Sequence, residues 1–309
     1  MNIENAIVII NKTRLEALIE RFNTKAQAKF YIEHAGGDFS DYEREHEIFH
    51  RSLDKVIETV HDQLKLKVLE RKFVPNFLFS EKDVAVVVGQ DGLVANAAKY
   101  VNGLPIFGVN PDKNRYDGFL LPFEVTNFKL GLENVLRGKA KFKNVTLAEA
   151  KTNDGQRLLA FNDLFIGPGS HTSARYKITY ENKTEEQSSS GIIVSTGAGS
   201  TGWLSSLLNM ANGIQNTFSK SQPGKVNFSL PWDTNQLVYV VREPFQSKYS
   251  KIDLSAGMIK TNEKLTIESF MPSNGIIFSD GIETDFINFN SGTKVEIGTA
   301  SQKAMLIIN

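Results

Sequence analysis

The sequence predicts two domains, an α/β domain with a mostly parallel sheet followed by an antiparallel β-sandwich. Over residues 1–122, short apolar runs alternate with amphipathic helical patterns, as strands and helices do around a parallel sheet. Over residues 123–309, short alternating segments separated by turn residues take over, which is typical of a sandwich. We therefore expect a Rossmann-like first domain at 1–122 and a sandwich domain at 123–309.

The first domain is expected to begin with a strand and a helix. The run Ala6 to Ile10 is apolar and β-branched, and Thr13 can cap the helix that follows it. Apolar residues at three- and four-residue spacing predict a long helix over 44–66. The remaining predicted elements here are strands at 68–73, 84–88 and 106–109 and a helix at 94–101.

The second domain is expected to consist mainly of short strands. It begins with a helix at 127–137, and a second helix at 203–212 follows a glycine-rich loop. The polar patch Glu185 to Ser190 is interpreted as a hairpin tip. The predicted strands are 141–148, 157–166, 237–241, 265–270, 276–279, 286–289, 295–297 and 305–308.

Composition limits the classes of partner. The 309 residues carry 35 basic and 35 acidic side chains, so no global field attracts nucleic acid or an anionic membrane. There is no cysteine, and therefore no disulfide framework or thiolate site. The run Ala6 to Ile10 is too short for a signal peptide. We expect a soluble cytoplasmic protein without nucleic-acid or membrane partners.

The stretch Asp83 to Leu93 is the best candidate site. A buried strand ends there on Gly89-Gln90-Asp91-Gly92. Open parallel sheets bind ligands at the carboxyl ends of their strands, and glycines allow backbone N–H groups to approach phosphate. Asp91 can hold a metal or accept a proton. The alternative is that Asp91 only caps the next helix.

A second motif, His46-Glu47-Ile48-Phe49-His50, matches the H-E-x-x-H pattern of zinc proteases, and Glu70 is a conceivable third ligand. Such an enzyme also needs a substrate-binding sheet edge beside the helix, and we find none in the sequence. We interpret His46 and His50 as partly buried histidines of a helix.

Four stretches match a known family in its own order. They are VGQDG at 88–92, IFGVN at 106–110 with DGFLLP at 117–122, FNDLFIG at 161–167 and STGAGSTGW at 195–203. Together they resemble the NAD kinase family, most closely the branch of the mitochondrial NAD kinases of animals. The resemblance implies phosphorylation of the 2′-hydroxyl of the adenosine ribose of NAD by ATP or another phosphoryl donor such as polyphosphate, with a divalent metal, Mg²⁺. It also implies a homodimer.

The resemblance assigns roles to individual residues. Asp91 would orient the hydroxyl and accept its proton, while Gly89, Gln90 and Gly92 would frame the phosphates. The dinucleotide would be bound by Asn110, Phe119, Asn162, Asp163, Ser200, Thr201, Trp203, Ser206 and Asp280. No protein residue is assigned as a metal ligand. Trp203 could stack on a ring of NAD or only pack against its neighbours.

The chain departs from the family pattern at four positions. Gln90 and Leu93 replace a glycine and a threonine of the first loop, Asp163 replaces a glutamate and Ala198 a threonine. Gln90 would either occlude the phosphoryl donor or hydrogen-bond to it. Two alternatives therefore stay open: a non-catalytic NAD(P)-binding protein that lost the donor site, and a related kinase acting on a lipid or sugar.

Overall fold

The structure is a computed structural model that describes residues 2–219 and 224–309. By its contacts the chain forms two compact units, Met1–Lys143 with Met305–Asn309, and Asn144–Ala304. Each unit has its own buried apolar core. The domain boundary expected at residue 122 stays a prediction.

A parallel sheet forms the centre of the first unit. The order of its strands is β2, β1, β3, β4, with β5 and the end of the last strand both beside β4. All described pairs in this unit are parallel, as predicted. The strands are β1 Asn5–Ile10, β2 Lys65–Glu70, β3 Asp83–Val88, β4 Pro105–Asn110 and β5 Phe123–Glu124.

Five helices accompany this sheet within the described part of the unit. Thr13 caps the first one through a reciprocal capping box with Glu16, which confirms the predicted cap. The last helix packs Phe128 and Leu132 against Phe107 and Phe123 of the sheet. The helices are α1 Arg14–Phe22, α2 Lys25–His34, α3 Phe39–His61, α4 Asp91–Ala98 and α5 Val125–Leu136.

The second unit contains two antiparallel sheets that share one apolar core, which confirms the predicted sandwich. One sheet has the order β10, β9, β14, β17, with β6 pairing with both β7 and β17; the other runs β13, β12, β11, β8, β15, β16. The strands are β6 Lys141–Thr152, β7 Arg157–Ala160, β8 Asp163–Pro168, β9 Ala174–Tyr180, β10 Lys183–Ser189, β11 Ile192–Ser195, β12 Leu237–Val241, β13 Ala256–Ile259, β14 Leu265–Ser269, β15 Gly275–Ser279, β16 Ile282–Asn288 and β17 Lys294–Ile308. The helix α6 spans Trp203–Phe218.

Four local predictions were wrong, and the first of them is the single strand expected at 157–166, which is divided into β7 and β8. The strand expected at 68–73 is β2 at Lys65–Glu70, because this edge strand pairs in register with all of β1; a 3₁₀ helix, Arg71–Asn76, follows it. The strands expected at 295–297 and 305–308 form one strand, β17. The patch 185–190 lies largely within β10, where Tyr176 hydrogen-bonds to the buried side chains of Gln187 and Ser189.

Candidate functional site

The loop after β3 lies at the carboxyl end of a fully buried strand that has β1 and β4 as parallel neighbours. Gly89 donates its N–H to the carbonyl of Val109 at 3.3 Å, and α4 begins at Asp91. Gln90 is exposed, and the space around the Cα of Gly92 is open. The predicted strand and loop are therefore both present, at the edge where parallel sheets bind ligands.

Asp91 is fixed by the loop that follows β4. Its Oδ1 accepts the N–H of Leu120 at 2.6 Å and its Oδ2 accepts the N–H of Gly118 at 3.2 Å. The N-cap of α4 is Gln90, so the alternative that Asp91 only caps this helix is wrong. A carboxylate offers about four lone-pair positions. Asp91 therefore keeps acceptor capacity beyond these two bonds.

Two glycines allow this loop to approach the sheet. A Cβ on Gly108 would lie 1.9 Å from the carbonyl oxygen of Leu120, and Gly118 has a φ of +73°. The side chain of Asn110 is buried and closes the loop, donating to the carbonyl of Tyr116 at 3.2 Å and accepting the N–H of Asp112 at 3.0 Å. Asn110 thus shapes the loop that holds Asp91.

Phe119 lies between the two amides that bind Asp91, and its side chain is 82% exposed. Its ring is therefore free to contact a molecule bound beside Asp91. The position agrees with a binding role for Phe119, which stays a prediction.

In the second unit, Asp280 interrupts the strand predicted over 157–166. Its carboxylate accepts three consecutive backbone N–H groups, those of Phe161 at 3.0 Å, Asn162 at 2.6 Å and Asp163 at 3.2 Å. Asp280 itself has a φ of +53°, a conformation that Asp tolerates better than most residues. The chain therefore turns between β7 and β8, and Asn162 lies at this turn.

Asp163 carries a buried carboxyl group whose Oδ1 accepts no hydrogen bond from the described residues. Burial raises the pKa of Asp163 to about 7; the Ser195 hydroxyl opposes the rise, and the Asp280 carboxylate adds to it. An unpartnered buried acceptor costs free energy unless a ligand satisfies it. Asp163 is thus the clearest polar feature of this unit.

The glycine-rich loop 195–202 packs directly on this carboxyl group. A Cβ on Gly199 would lie 2.3 Å from the carbonyl oxygen of Asn162 and 2.7 Å from Oδ1 of Asp163. Thr196 fixes the loop, since its hydroxyl bonds to the carbonyl of Phe161 and accepts the N–H of Gly199 at 3.2 Å. Thr196 was not among the predicted site residues, although it lies inside the matching stretch 195–203.

The loop's own hydroxyl groups differ in their availability. Ser200 is buried and holds the loop, since its Oγ donates to the carbonyl of Thr196 and accepts the N–H of Leu230. Thr201 is exposed. Ser206 is partly engaged, with its Oγ 3.4 Å from the carbonyl oxygen of Gly202. Their binding roles stay predictions.

Trp203 packs in an aromatic cluster. Its ring stacks on that of Phe165 at a centroid distance of 5.8 Å, and the guanidinium carbon of Arg242 lies 5.6 Å from the Trp203 ring centroid. Phe278 completes the cluster beside a cleft of about 660 Å³. Packing, one of the two roles left open for Trp203, is present. Phe165 and Arg242 were missed as site candidates because each is unremarkable in isolation.

The first unit thus has a parallel sheet with a loop carboxylate, and the second has a sandwich with a glycine-rich loop over a buried acid. No family model matches the chain. Curated proteins do match it. The chain is 29% identical over 169 residues to the NAD kinase of Clostridium tetani, which covers 50% of this chain and 59% of that protein.

Two further relatives cover more of the chain. The probable NADH kinase of Oryza sativa is 25% identical over 223 residues, covering 64% of this chain and 63% of that protein. The human protein NAD kinase 2, mitochondrial, is 22% identical over 288 residues, covering 77% and 65%. The alignments thus span roughly three fifths of these relatives' lengths. The resemblance to NAD kinases, including the mitochondrial branch, is confirmed.

Solved structures share the fold. An NAD kinase from Archaeoglobus fulgidus in complex with ATP aligns over 99% of this chain and 94% of its own, with a TM-score of 0.57 and 14% identity. The yeast NADH kinase complexed with NADH aligns over 100% and 84%, with a TM-score of 0.60 and 15% identity. No helix in the described ranges is long and apolar enough to cross a membrane.

Proposed function

We propose that the protein is an NAD kinase, which transfers a phosphoryl group from ATP to the 2′-hydroxyl of the adenosine ribose of NAD to give NADP. The observation that carries the proposal is the carboxylate of Asp91, which two backbone amides fix at the carboxyl end of a central parallel strand. The proposal is supported by the similarity to NAD and NADH kinases over half to three quarters of the chain.

In this proposal Asp91 is the general base. A secondary hydroxyl is a weak nucleophile, and a carboxylate within hydrogen-bond reach orients it and takes its proton as the new O–P bond forms. The bond between the γ-phosphorus and the bridging oxygen breaks, and ADP leaves with the electron pair. The amides of Gly118 and Leu120 hold the carboxylate in place and leave lone pairs for the substrate.

The second unit is proposed to contribute recognition of the dinucleotide. Asp163 offers a buried acceptor with no partner among the described residues, which suits a ribose hydroxyl. Gly199 keeps the space above that carboxyl free of side chains. Asn162 and Asp280 shape the turn beside it, and Thr201, Trp203 and Ser206 are the proposed further contacts.

Mg²⁺ is proposed to enter with ATP. Phosphate oxygens and water supply most ligands of nucleotide-bound magnesium, so few protein ligands are needed. The remaining acceptor capacity of Asp91 fits a contact to the hydration shell of such an ion. The ion would neutralise charge on the transferred phosphoryl group.

The assay of the proposal is the formation of NADP from NAD, ATP and magnesium. We expect Asp91→Asn to lower kcat by about 10² to 10⁴-fold, because the base is lost. Asp117→Asn is the matched control, since this carboxylate is exposed on the same loop and is expected to leave kcat unchanged. Full activity of Asp91→Asn would remove Asp91 from the base role.

One observation favours a second function. Gln90 is exposed at the start of α4, and Leu93 is buried where the family has a threonine by resemblance. The part of the loop proposed to face the phosphoryl donor therefore differs from that of the family. A non-catalytic NAD(P)-binding protein would bind NAD but form no NADP with ATP, other nucleoside triphosphates or polyphosphate. Phosphorylation of a lipid or sugar in place of NAD would instead identify the related kinase.

A homodimer and a cytoplasmic location complete the proposal. The first rests on the family resemblance, and the second on the absence of cysteine. Zero formal net charge supports the absence of a nucleic-acid partner. Analytical ultracentrifugation of the purified chain would test the dimer.

A further inference from the structure

One cluster of ligating side chains is not used by the proposed kinase reaction. Glu16 of α1 and the histidines His46 and His50 of α3 each offer one ligand atom, and these atoms lie within 4.8 Å of one another. The histidines are one turn apart on the same helix face, with ring centroids 4.3 Å apart. Two imidazoles at this spacing with one carboxylate are a ligand set that zinc and similar metals prefer.

The cluster is oriented by Thr13, the N-cap residue of α1. The Thr13 hydroxyl lies 2.9 Å from Nδ1 of His46 and 3.2 Å from Oε2 of Glu16. This contact leaves Nε2 of His46 without a partner among residues 2–219 and 224–309. A metal-binding histidine usually has its other ring nitrogen held by a protein group, and the carboxylate likewise. Both supports are present here.

Both carboxylate oxygens of Glu16 have partners, and the partner of Oε1 is itself a member of the cluster. Its Oε2 accepts the backbone N–H of Thr13 at 2.7 Å, and its Oε1 lies 3.0 Å from Nε2 of His50.

The cluster opens onto a cleft. Glu16 and His50 line a cavity of about 360 Å³ together with Asn11, Lys12 and Glu70. Because two of the three proposed ligands line this cavity, it has room for water as a fourth ligand.

The H-E-x-x-H motif therefore needs a different interpretation from that of a protease. Both histidines are partly buried, as predicted, but Glu47, the base of the protease motif, is exposed and outside the cluster. The third residue is Glu16 from another helix. We propose that Glu16, His46 and His50 bind a divalent transition metal of the zinc class, which fastens the start of α1 to α3.

The test uses the full chain, free of any histidine tag and of nucleotide. After dialysis against Zn²⁺ and then metal-free buffer, elemental analysis is expected to find one zinc per chain, with a higher Tm than for the chelator-treated protein. The double variant that combines His46→Gln and His50→Gln is expected to bind Zn²⁺ at least about 100-fold more weakly than the wild type, as measured by isothermal titration calorimetry. Circular dichroism checks that this variant is folded.

Two further measurements make the result specific. Bound Co²⁺ is expected to give visible absorption bands in the wild type that weaken in Glu16→Gln. The matched control is His34→Gln with His61→Gln, two exposed helix histidines whose replacement leaves zinc content unchanged. Absence of zinc in the wild type, or retention of zinc by the His46→Gln and His50→Gln double variant, would overturn the proposal. Neither outcome depends on kinase activity.

Discussion

At the scale of single residues, Asp163 has an environment that changes its ionisation. Its buried carboxyl group has an oxygen with no partner among the described residues, in a position where the family has a glutamate by resemblance. The motif could locate this residue in the sequence, but its unusual environment depends on Ser195 and Asp280, which are distant along the chain. No local pattern could have revealed that environment.

The raised pKa of Asp163 predicts how stability depends on pH. The unfolded chain ionises this group near pH 4, whereas the native state keeps the proton up to about pH 7. The free energy of unfolding therefore loses this contribution as pH rises from about 4 through 7. Asp163→Asn removes the titration, and we expect its stability relative to wild type to rise by up to about 4 kcal/mol over that range. Urea unfolding of both proteins at several pH values measures the difference in their free energies of unfolding. A difference that does not change with pH would contradict the raised pKa of Asp163.

Gly199 is predicted to tolerate no side chain. The Cβ of Gly199→Ala would meet the carbonyl oxygen of Asn162 at 2.3 Å, so the loop must move. We expect a loss of about 1–3 kcal/mol in the free energy of unfolding and weaker NAD binding. Gly213→Ala is the control, because it lies in α6 with open space around it and should stabilise the helix by about 0.5–1 kcal/mol. Thermal unfolding and NAD titration of both variants would decide the matter.

At the scale of elements, the positions predicted most accurately are those of strands that are apolar along almost their whole length. β3 and β12 were located to within a residue or two because every residue or nearly every residue in them is buried. β10 was missed because its buried side chains are polar and are satisfied by Tyr176 from β9. The break between β7 and β8 was missed because its cause, Asp280, comes more than a hundred residues later.

We predict that Asp280 stabilises the turn between β7 and β8. Asp280→Asn keeps a residue that tolerates the left-handed backbone but replaces the charged acceptor of three N–H groups. We expect the free energy of unfolding to fall by about 1–3 kcal/mol, and hydrogen exchange at Phe161 to Asp163 to accelerate. Asp233→Asn, an exposed carboxylate of the same unit, should change stability by less than about 0.5 kcal/mol. Unchanged exchange at the three amides would refute this role.

At the scale of the whole molecule, the two fold classes and their order could be predicted, because the change from helix-and-strand to strand-and-turn patterns is visible in the sequence. The return of the chain to its first unit could not. Met305 and Leu306 pair in parallel with Pro105 and Ile106, and the side chains of Leu306 and Ile307 are buried there. A short apolar run carries no information about which of two domains it will join.

This return predicts the effect of a short truncation. Ending the chain at Ala304 removes two buried side chains from the first unit, and we expect a loss of about 2–5 kcal/mol in the free energy of unfolding. Hydrogen exchange at the amides of residues 106–110 should accelerate, while the strands β11 and β12 of the second unit should be less affected. Removing Asn309 alone is the control, since this residue is exposed. Equal protection of β4 in the truncated and full chains would contradict the prediction.

The same pairing has a consequence for biosynthesis. A ribosome adds about 5–20 residues per second, so roughly 10–40 s separate the synthesis of β4 from that of the segment that pairs with it. During that interval the first unit has an open backbone edge at Pro105 and Ile106, of the kind that favours pairing with other chains. We therefore expect nascent chains of this protein to depend on chaperones until their last strand emerges, more than chains whose domains are each continuous in sequence.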